Sequence, residues 1–426
     1  MFIMVVQSRR RDLLAGFGVA GGMALAGCVD AISGQQRTEQ DYGGLDRTVN
    51  LGIVQPLSGD LEGPGTAIKQ AALLPVSQVE DAVDLSISVE IVDSETREEP
   101  AVRGIFDLVQ KGYEMFNGPA ASEITLQATQ QVTIPHRAVV CSPASTSPTI
   151  TTLNDAGLVF RTAVSDAFQS RALAQQAVDD LDASTASVMY VDDDYGWQLT
   201  QSFSRAFETE HGGSVVGTVS FHDEQDSYAD DVATATADAP DVLVLIAFPE
   251  TGARILNAFY EAGGEQDVLV TDGLRSPDLY DTVDHPVDAI SGTAPLPVGP
   301  GYAFFEAEFE AAYEQPPGVF TAEAYDATAV LLLANAYAGR NDGEAIRNAM
   351  RTVTQSPGEV IEPENLTEGL IRAAAGESIE YRGASGVVEF DTNGDQQEAT
   401  YEYFTFDEAG WQADGTPFET LAEVTV

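Results

Sequence analysis

Lysine is nearly missing from this chain. Lys69 and Lys111 are its two lysines in 426 residues, and 20 Lys and Arg face 68 Asp and Glu, a formal net charge of −48. A surface so poor in cations cannot neutralise phosphates, which excludes nucleic-acid binding. Cysteine is equally scarce, with Cys28 and Cys141 alone. Histidine occurs four times, at His136, His211, His222 and His285, without metal-ligand spacing, so no metal is expected. Beyond the N-terminal region no segment is long and apolar enough to span a bilayer. No G-x-S-x-G elbow, P-loop or H-E-x-x-H motif occurs. With no nucleophile, base and orienting group in a recognisable set, neither an enzyme nor a cofactor is expected. Two patterns are false matches. Gly16-Phe17-Gly18-Val19-Ala20-Gly21 has no strand before it, and Asp391-Thr392-Asn393-Gly394-Asp395 lacks the glycine of a calcium loop at its sixth place, Gln396.

What is present begins with Arg9-Arg10-Arg11-Asp12-Leu13-Leu14, a twin-arginine pattern, followed by a Gly-rich apolar run that closes on Leu25-Ala26-Gly27-Cys28. A basic region, a short apolar region and small residues before a cysteine read as a lipoprotein export signal over 1–27, with Cys28 as the lipidated first residue of the mature chain. With Cys28 taken by lipid, no internal disulfide forms. Cys141, after Ala138-Val139-Val140, is expected to be a buried, inert thiol. Residues 28–47 are polar and read as a flexible tether. The acidity runs along the whole chain and makes no tail, while apolar content is an ordinary 44%. Such self-repulsion is tolerable in molar salt, where the Debye length falls to about 3 Å, so the surface reads as halophilic and archaeal.

From Val49 onward, short β-branched runs alternate with longer helical patterns. Val49–Val54, Ser86–Val92, the stretch from Tyr113 to Phe116 and Ile134–Val140 alternate with helical segments, which implies a parallel sheet covered on both faces. A second series follows Val159-Phe160-Arg161-Thr162, with strands at Ser187–Val191, Ser214–Phe221, Val242–Ala247, Val268–Thr271 and Ile290–Pro295. Helices then dominate to about residue 375. The spacing predicts a closing hairpin of Val387–Phe390 and Tyr401–Phe406 around the Asp391–Asp395 turn. Two βα halves of this kind make a bilobed α/β protein whose ligand sits in a cleft beyond the carboxyl ends of the strands.

The candidate binding residues lie at those strand ends. Ser122 opens a helix after Gly118-Pro119-Ala120-Ala121, and Ser142-Pro143-Ala144-Ser145-Thr146-Ser147-Pro148 joins a strand to another helix. Hydroxyls and free N–H groups at helix starts suit a carboxylate, although each serine taken alone reads as an N-cap. From the second series come Tyr195, placed at the end of a strand, Phe248 and Asp272. The aromatics read equally as packing residues and Asp272 equally as a turn residue before Gly273. Together, hydroxyls on one lobe with an anion and two aromatic walls on the other suit a zwitterion.

Taken in order, Leu57-Ser58-Gly59, Gly118 with Ser122, Ser142–Pro148, Phe160-Arg161-Thr162, Tyr190–Gly196, Tyr325-Asp326-Ala327 and Gly386–Asp391 resemble the branched-chain amino-acid (Leu/Ile/Val) type substrate-binding proteins of ABC importers. The resemblance covers Val49 to the end. It implies two Rossmann-like lobes joined by a three-crossover hinge, one from 48–163 and 297–378, the other from 164–296 and 379–426. It further implies a monomer, lipid-anchored on the outer face of the membrane, that hands a captured amino acid to ABC permease subunits. The ligand-binding set would be Ser122, Ala144, Ser145, Thr146, Tyr195, Phe248 and Asp272. Ser122 and Thr146 would take the α-carboxylate, and the Ala144 carbonyl, Thr146 hydroxyl and Asp272 the α-ammonium. Two positions depart from the family pattern: Asp272 stands where glutamate is usual, and Pro64 where an aromatic wall is common. Relatives of this fold also bind urea, short amides or aromatic acids, or serve as ligand sensors, and these remain alternatives.

Overall fold

The computed structural model describes residues 45–80, 85–223, 225–287, 289–355, 357–407, 410 and 416–426. The expected signal over 1–27, Cys28 and the tether as far as residue 44 lie outside the described residues.

The first half of the chain builds an all-parallel sheet. β1 (Thr48–Gln55) leads through α1 (Glu62–Glu80) to β2 (Ser86–Asp93), and α2 (Glu98–Gln110) to β3 (Met115–Asn117). α3 (Ser122–Ala128) continues through a π-turn into α4 (Ile134–His136), before β4 (Val139–Ser142), α5 (Pro148–Thr151) and β5 (Val159–Arg161). The sheet order is β2-β1-β3-β4-β5, with every neighbouring pair parallel. β1, β3, β4 and β5 are buried nearly throughout because helices cover both faces.

The second lobe starts with α6 (Asp166–Asp179), β6 (Thr185–Val191) and α7 (Asp194–Thr209), then β7 (Ser214–Phe221), α8 (Ala229–Ala235) and β8 (Val242–Ile246). It continues through α9 (Pro249–Glu261), β9 (Asp267–Val270), α10 (Pro277–Thr282) and β10 (Ile290–Pro295). The chain then returns to the first lobe for α11 (Tyr302–Tyr313), α12 (Thr321–Ala338), α13 (Gly343–Met350), β11 (Glu359–Ile361), α14 (Leu366–Ala374) and β12 (Ile379–Tyr381). α12 is buried on all sides apart from its last two residues, and it packs with the first sheet in one apolar core. β13 (Thr400–Phe406) and β14 (Phe418–Thr425) complete the second sheet, whose order is β14-β13-β10-β9-β8-β6-β7. The chain therefore passes between the lobes three times, after β5, after β10 and before β13.

Two expectations about the C-terminal part need correction. Residues 379–390, expected in the second lobe, pack with the first: β12 pairs in parallel with β11, and Tyr381, Ala384, Val388 and Phe390 belong to the first-lobe core. Nor do 387–390 form a hairpin with β13. Phe390 makes one isolated bridge to Gln396, and β13 pairs instead with β10 and β14. The reason lies in the turn itself. The Asp391 carboxylate accepts the N–H groups of Asn393 at 2.7 Å and Asp395 at 3.0 Å, closing a tight loop. Gly394 holds a φ of +87°, and a Cβ there would meet the Val159 carbonyl at 2.3 Å. Asp395 takes the buried Arg161 guanidinium at 2.6 Å and the Thr151 hydroxyl at 2.6 Å. The turn is thus pinned against β5 and is not the tip of a free ribbon.

Candidate functional site

A cavity of about 310 Å³ lies between the lobes, at the small end of the range for small-molecule sites. Ser122, Ala144 and Thr146 line it from the first lobe, and Tyr195, Phe248 and Asp272 from the second. Six of the seven expected residues therefore share one cavity. The remainder of the wall is mainly apolar, from Leu61, Pro64, Ile68, Pro277, Val319 and Phe320. Pro64 stands in that wall where an aromatic was the family expectation.

Ser145 is the exception. It is fully buried behind the site, where its hydroxyl bonds to the Thr125 hydroxyl at 2.7 Å and the Ala120 carbonyl at 2.8 Å. Alternation along the extended loop sends its side chain inward and leaves Ala144 and Thr146 on the cavity side.

Ser122 shows how the first lobe meets an anion. Its Oγ accepts the backbone N–H groups of Thr146 and Ser147, both at 3.2 Å. With its lone pairs occupied, the hydroxyl proton is left to donate, and a carboxylate is the natural acceptor. The loop it holds is stiff: Ser147 caps α5 through the Thr149 N–H at 3.2 Å, with Pro148 in the first turn.

The second lobe supplies aromatics and an acid. Tyr195 sits in the first turn of α7, because β6 already ends at Val191 and the strand placement expected for it is too long. Its ring stacks on Phe248 at 5.8 Å with an interplanar angle of 11°, and its hydroxyl is tied to Thr271 at 2.8 Å. Asp272 follows β9 in a short 3-10 turn. Gly273 must follow it: a Cβ there would lie 2.5 Å from the Ala247 carbonyl. Asp272 is 7% exposed, and its Oδ1 has no hydrogen-bond partner. Burial pushes its pKa up to about 6, against opposing help from Gln169 and its own backbone.

The surroundings add two buried acids whose ionised forms burial disfavours. Glu323, buried in the first turn of α12, is raised to about 8 by burial and by Asp326 and Asp272. Asp166, at the start of α6, is fully buried and raised well above the carboxylate range by burial and by Asp272. The two guanidiniums in this region are already neutralised, Arg161 by Asp395 and Arg275 by Glu402 at 2.5 Å. Arg275 also lies over the Phe418 ring at 4.4 Å. Sequence reading missed Asp166, Arg275 and Glu323. An acid in the first turn of a helix reads as a dipole partner, and an Asp or Glu carries no local mark of its burial. Among the described residues, no group of three or more His, Cys, Asp or Glu is arranged to hold a metal ion, and no helix is long and apolar enough to cross a membrane.

The lobes also touch across the mouth of the cleft. The Asp60 carboxylate, in the loop after β1, accepts the N–H groups of Glu250 at 2.6 Å and Thr251 at 3.2 Å, capping α9 from the opposite lobe. Near the hinge, Thr149 donates to Asp194 at 2.8 Å, and Ser147 donates to the same carboxylate.

The fold has counterparts among known proteins. The leucine-binding protein LivK of Thermotoga maritima superposes with a TM-score of 0.74 at 21% identity, covering 88% of this chain and 98% of that one. A solute-binding protein of R. palustris in complex with benzoate gives 0.72 at 17% identity, covering 89% and 98%. A chemotactic signal transduction system substrate-binding protein, BasB of Halobacterium salinarum, is 27% identical over 279 residues. That stretch is 64% of this chain and 65% of the relative, just under two thirds of its length. The family model for periplasmic binding proteins matches residues 48–368. Two parallel-rich lobes, three passages between them and a small cleft at the strand ends thus coincide with a family match over most of the chain, which belongs to the periplasmic binding proteins and has their type I fold.

Proposed function

We propose that the protein is an extracytoplasmic lipoprotein that captures an amino acid with an aliphatic side chain, branched-chain or similar, and presents it to an ABC permease. The reading rests above all on the two poles of the cleft. Ser122 offers an O–H donor on one lobe, and Asp272 offers a buried carboxylate with an unpartnered oxygen on the other. A zwitterion satisfies both, and the apolar wall formed by Leu61, Pro64, Ile68 and Phe320 receives its side chain. No reaction is required: binding draws the open–closed equilibrium toward closure, which the Asp60 contact to α9 supports. Anchoring is assigned to lipid on Cys28 and the halophilic setting to the net charge of −48; a Cys28→Ala chain should be released from the cell surface. A sensing role is the second reading, supported by the similarity to the chemotactic protein of Halobacterium salinarum. An adjacent permease and ATPase gene favours import, and an adjacent kinase gene favours sensing.

The test is a thermal melt of the mature domain in molar salt against all amino acids, urea, acetamide and benzoate. A bound ligand stabilises by RT ln(1 + [L]/Kd), about 2.7 kcal/mol at one hundred times Kd. Stabilisation by an aliphatic amino acid is the expected result. Silence across the amino acids together with a response to benzoate would reject the ligand class and leave the fold untouched.

A further inference from the structure

Asp166 opens α6 where the chain first crosses from one lobe to the other. The helix does not need it as a cap, because the Ser165 hydroxyl accepts the Ala167 N–H at 3.4 Å. The Asp166 backbone N–H donates to the Thr146 carbonyl at 2.9 Å, which fixes the residue against the binding loop. Its side chain is fully buried, and neither carboxylate oxygen has a well-aligned hydrogen bond. The Thr146 side chain is near enough to favour the ionised form, whereas Asp272 and Asp194 oppose it. Arg161, the attractive charge in reach, is already committed to Asp395 and to the carbonyls of Ser145 and Ser147. A buried, poorly satisfied carboxylate is among the costliest groups a fold can carry, and such groups gather where they serve a ligand.

We propose that Asp166 is a second anionic determinant of this site, working with Asp272 so that the cleft admits solutes bearing a primary ammonium and rejects isosteres that lack the charge. The inference rests on the amino-acid reading above and names the group that enforces it. Asp166 does not line the cavity, so it is a positioning residue that acts through Thr146, which does. A threonine hydroxyl has one proton. Donating that proton toward Asp166 turns its lone pairs to the cavity, where they accept from an ammonium. Thr146 is then unavailable as a side-chain donor to the ligand carboxylate, and that task falls to Ser122. Burial and Asp272 push Asp166 toward its neutral form in the empty protein, and an arriving ammonium opposes that push, an attraction that only a cation can use.

The test compares L-leucine with its analogue in which a hydroxyl replaces the amine, by calorimetry in molar salt, on the wild type, Asp166→Asn and Thr146→Val. Asp166→Asn should weaken leucine about ten- to a hundredfold, the scale of one charge-assisted contact, and shift the hydroxy analogue by less than about threefold. Thr146→Val should lower the same selectivity, and the two substitutions together should be non-additive. The empty Asp166→Asn protein should melt higher than wild type near pH 7, since an acid raised by burial costs the fold stability above its unfolded pKa. Equal loss for both ligands, additive effects, or a lower melting temperature of the empty variant would overturn the proposal by showing a structural role. A wild type that ignores amino acids but binds another amine, with Asp166→Asn still weakening it, would sink the amino-acid reading and keep this one. A wild type that prefers benzoate to every cation-bearing solute would sink both.

Discussion

Replacing Asp272 with asparagine keeps the shape of the site and removes its charge. At 7% exposure, with Oδ1 unpartnered, this carboxylate is held in the cleft at a cost to the empty protein. Its folded pKa of about 6, against an ordinary 3.8, measures that cost. Below pH 3.8 both folded and unfolded chains carry the proton and nothing is lost. Above pH 6 both are ionised, and the penalty is complete at roughly 3 kcal/mol, about 1.4 kcal/mol for each unit of displacement. The penalty thus grows as pH rises between those values. Asp272→Asn should therefore raise the melting temperature of the empty protein at pH 7 by a few degrees, to the extent that the amide finds acceptors. The same substitution removes a charge-assisted contact to the ligand ammonium, worth about 1.5–3 kcal/mol, so amino-acid affinity should fall roughly ten- to a hundredfold. Wild-type affinity should also decline as pH drops through 6, where Asp272 takes up its proton, and the variant should lose that part of the pH dependence. Calorimetry at pH 5 and pH 7.5 on both proteins reads all of this. An unchanged affinity in Asp272→Asn would reduce Asp272 to a turn residue and remove the cation pole from the site.

Other perturbations separate closure, folding and solvent. Asp60→Ala removes the cap that one lobe places on α9 of the other; a cap is worth about 1 kcal/mol, so ligand affinity should fall about fivefold while small-angle scattering shows a more open empty state. Unchanged scattering and affinity would mean that Asp60 plays no part in closure. Asp395→Asn strands the fully buried Arg161 guanidinium, which should cost about 3–5 kcal/mol of stability, read as a drop in melting temperature and denaturant midpoint. Dilution from molar salt to about 0.1 M lengthens the Debye length from about 3 to about 10 Å, and a chain of net charge −48 should then melt lower. A melting temperature indifferent to salt would contradict the halophilic reading.

The parallel sheets were readable because their strands are short β-branched runs separated by helical periods, and Ser214–Phe221 and Ile290–Pro295 match to the residue. Ser122, Thr146, Phe248 and Asp272 were readable for a related reason: a parallel α/β sheet presents its strand ends to one edge, so residues just past a strand gather there. What escaped depended on contacts distant in sequence. The hairpin expected around Asp391–Asp395 had the right local turn, but Arg161 and Thr151, more than two hundred residues earlier, claim Asp395 and hold that loop on the first lobe. Ser145 looks like its neighbours in sequence, and the Pro119 and Ala120 carbonyls that receive its hydroxyl lie some twenty-five residues earlier in the chain.

Asp166 is the sharpest case of this kind. Next to Ser165 at a helix start, it fits the dipole so well that local logic has nothing left to explain. Its meaning comes from the closeness of Thr146 and Asp272, which βα units of the two lobes bring to one cleft. Where folding logic alone would place a neutral or apolar side chain in so buried a spot, the chain keeps a carboxylate with no adequate partner. Neither helix capping nor core packing accounts for that choice, whereas a visiting cation does. The cleft is therefore best understood as an unfinished ion pair, in which the acid is supplied by the protein and the ammonium by the solute.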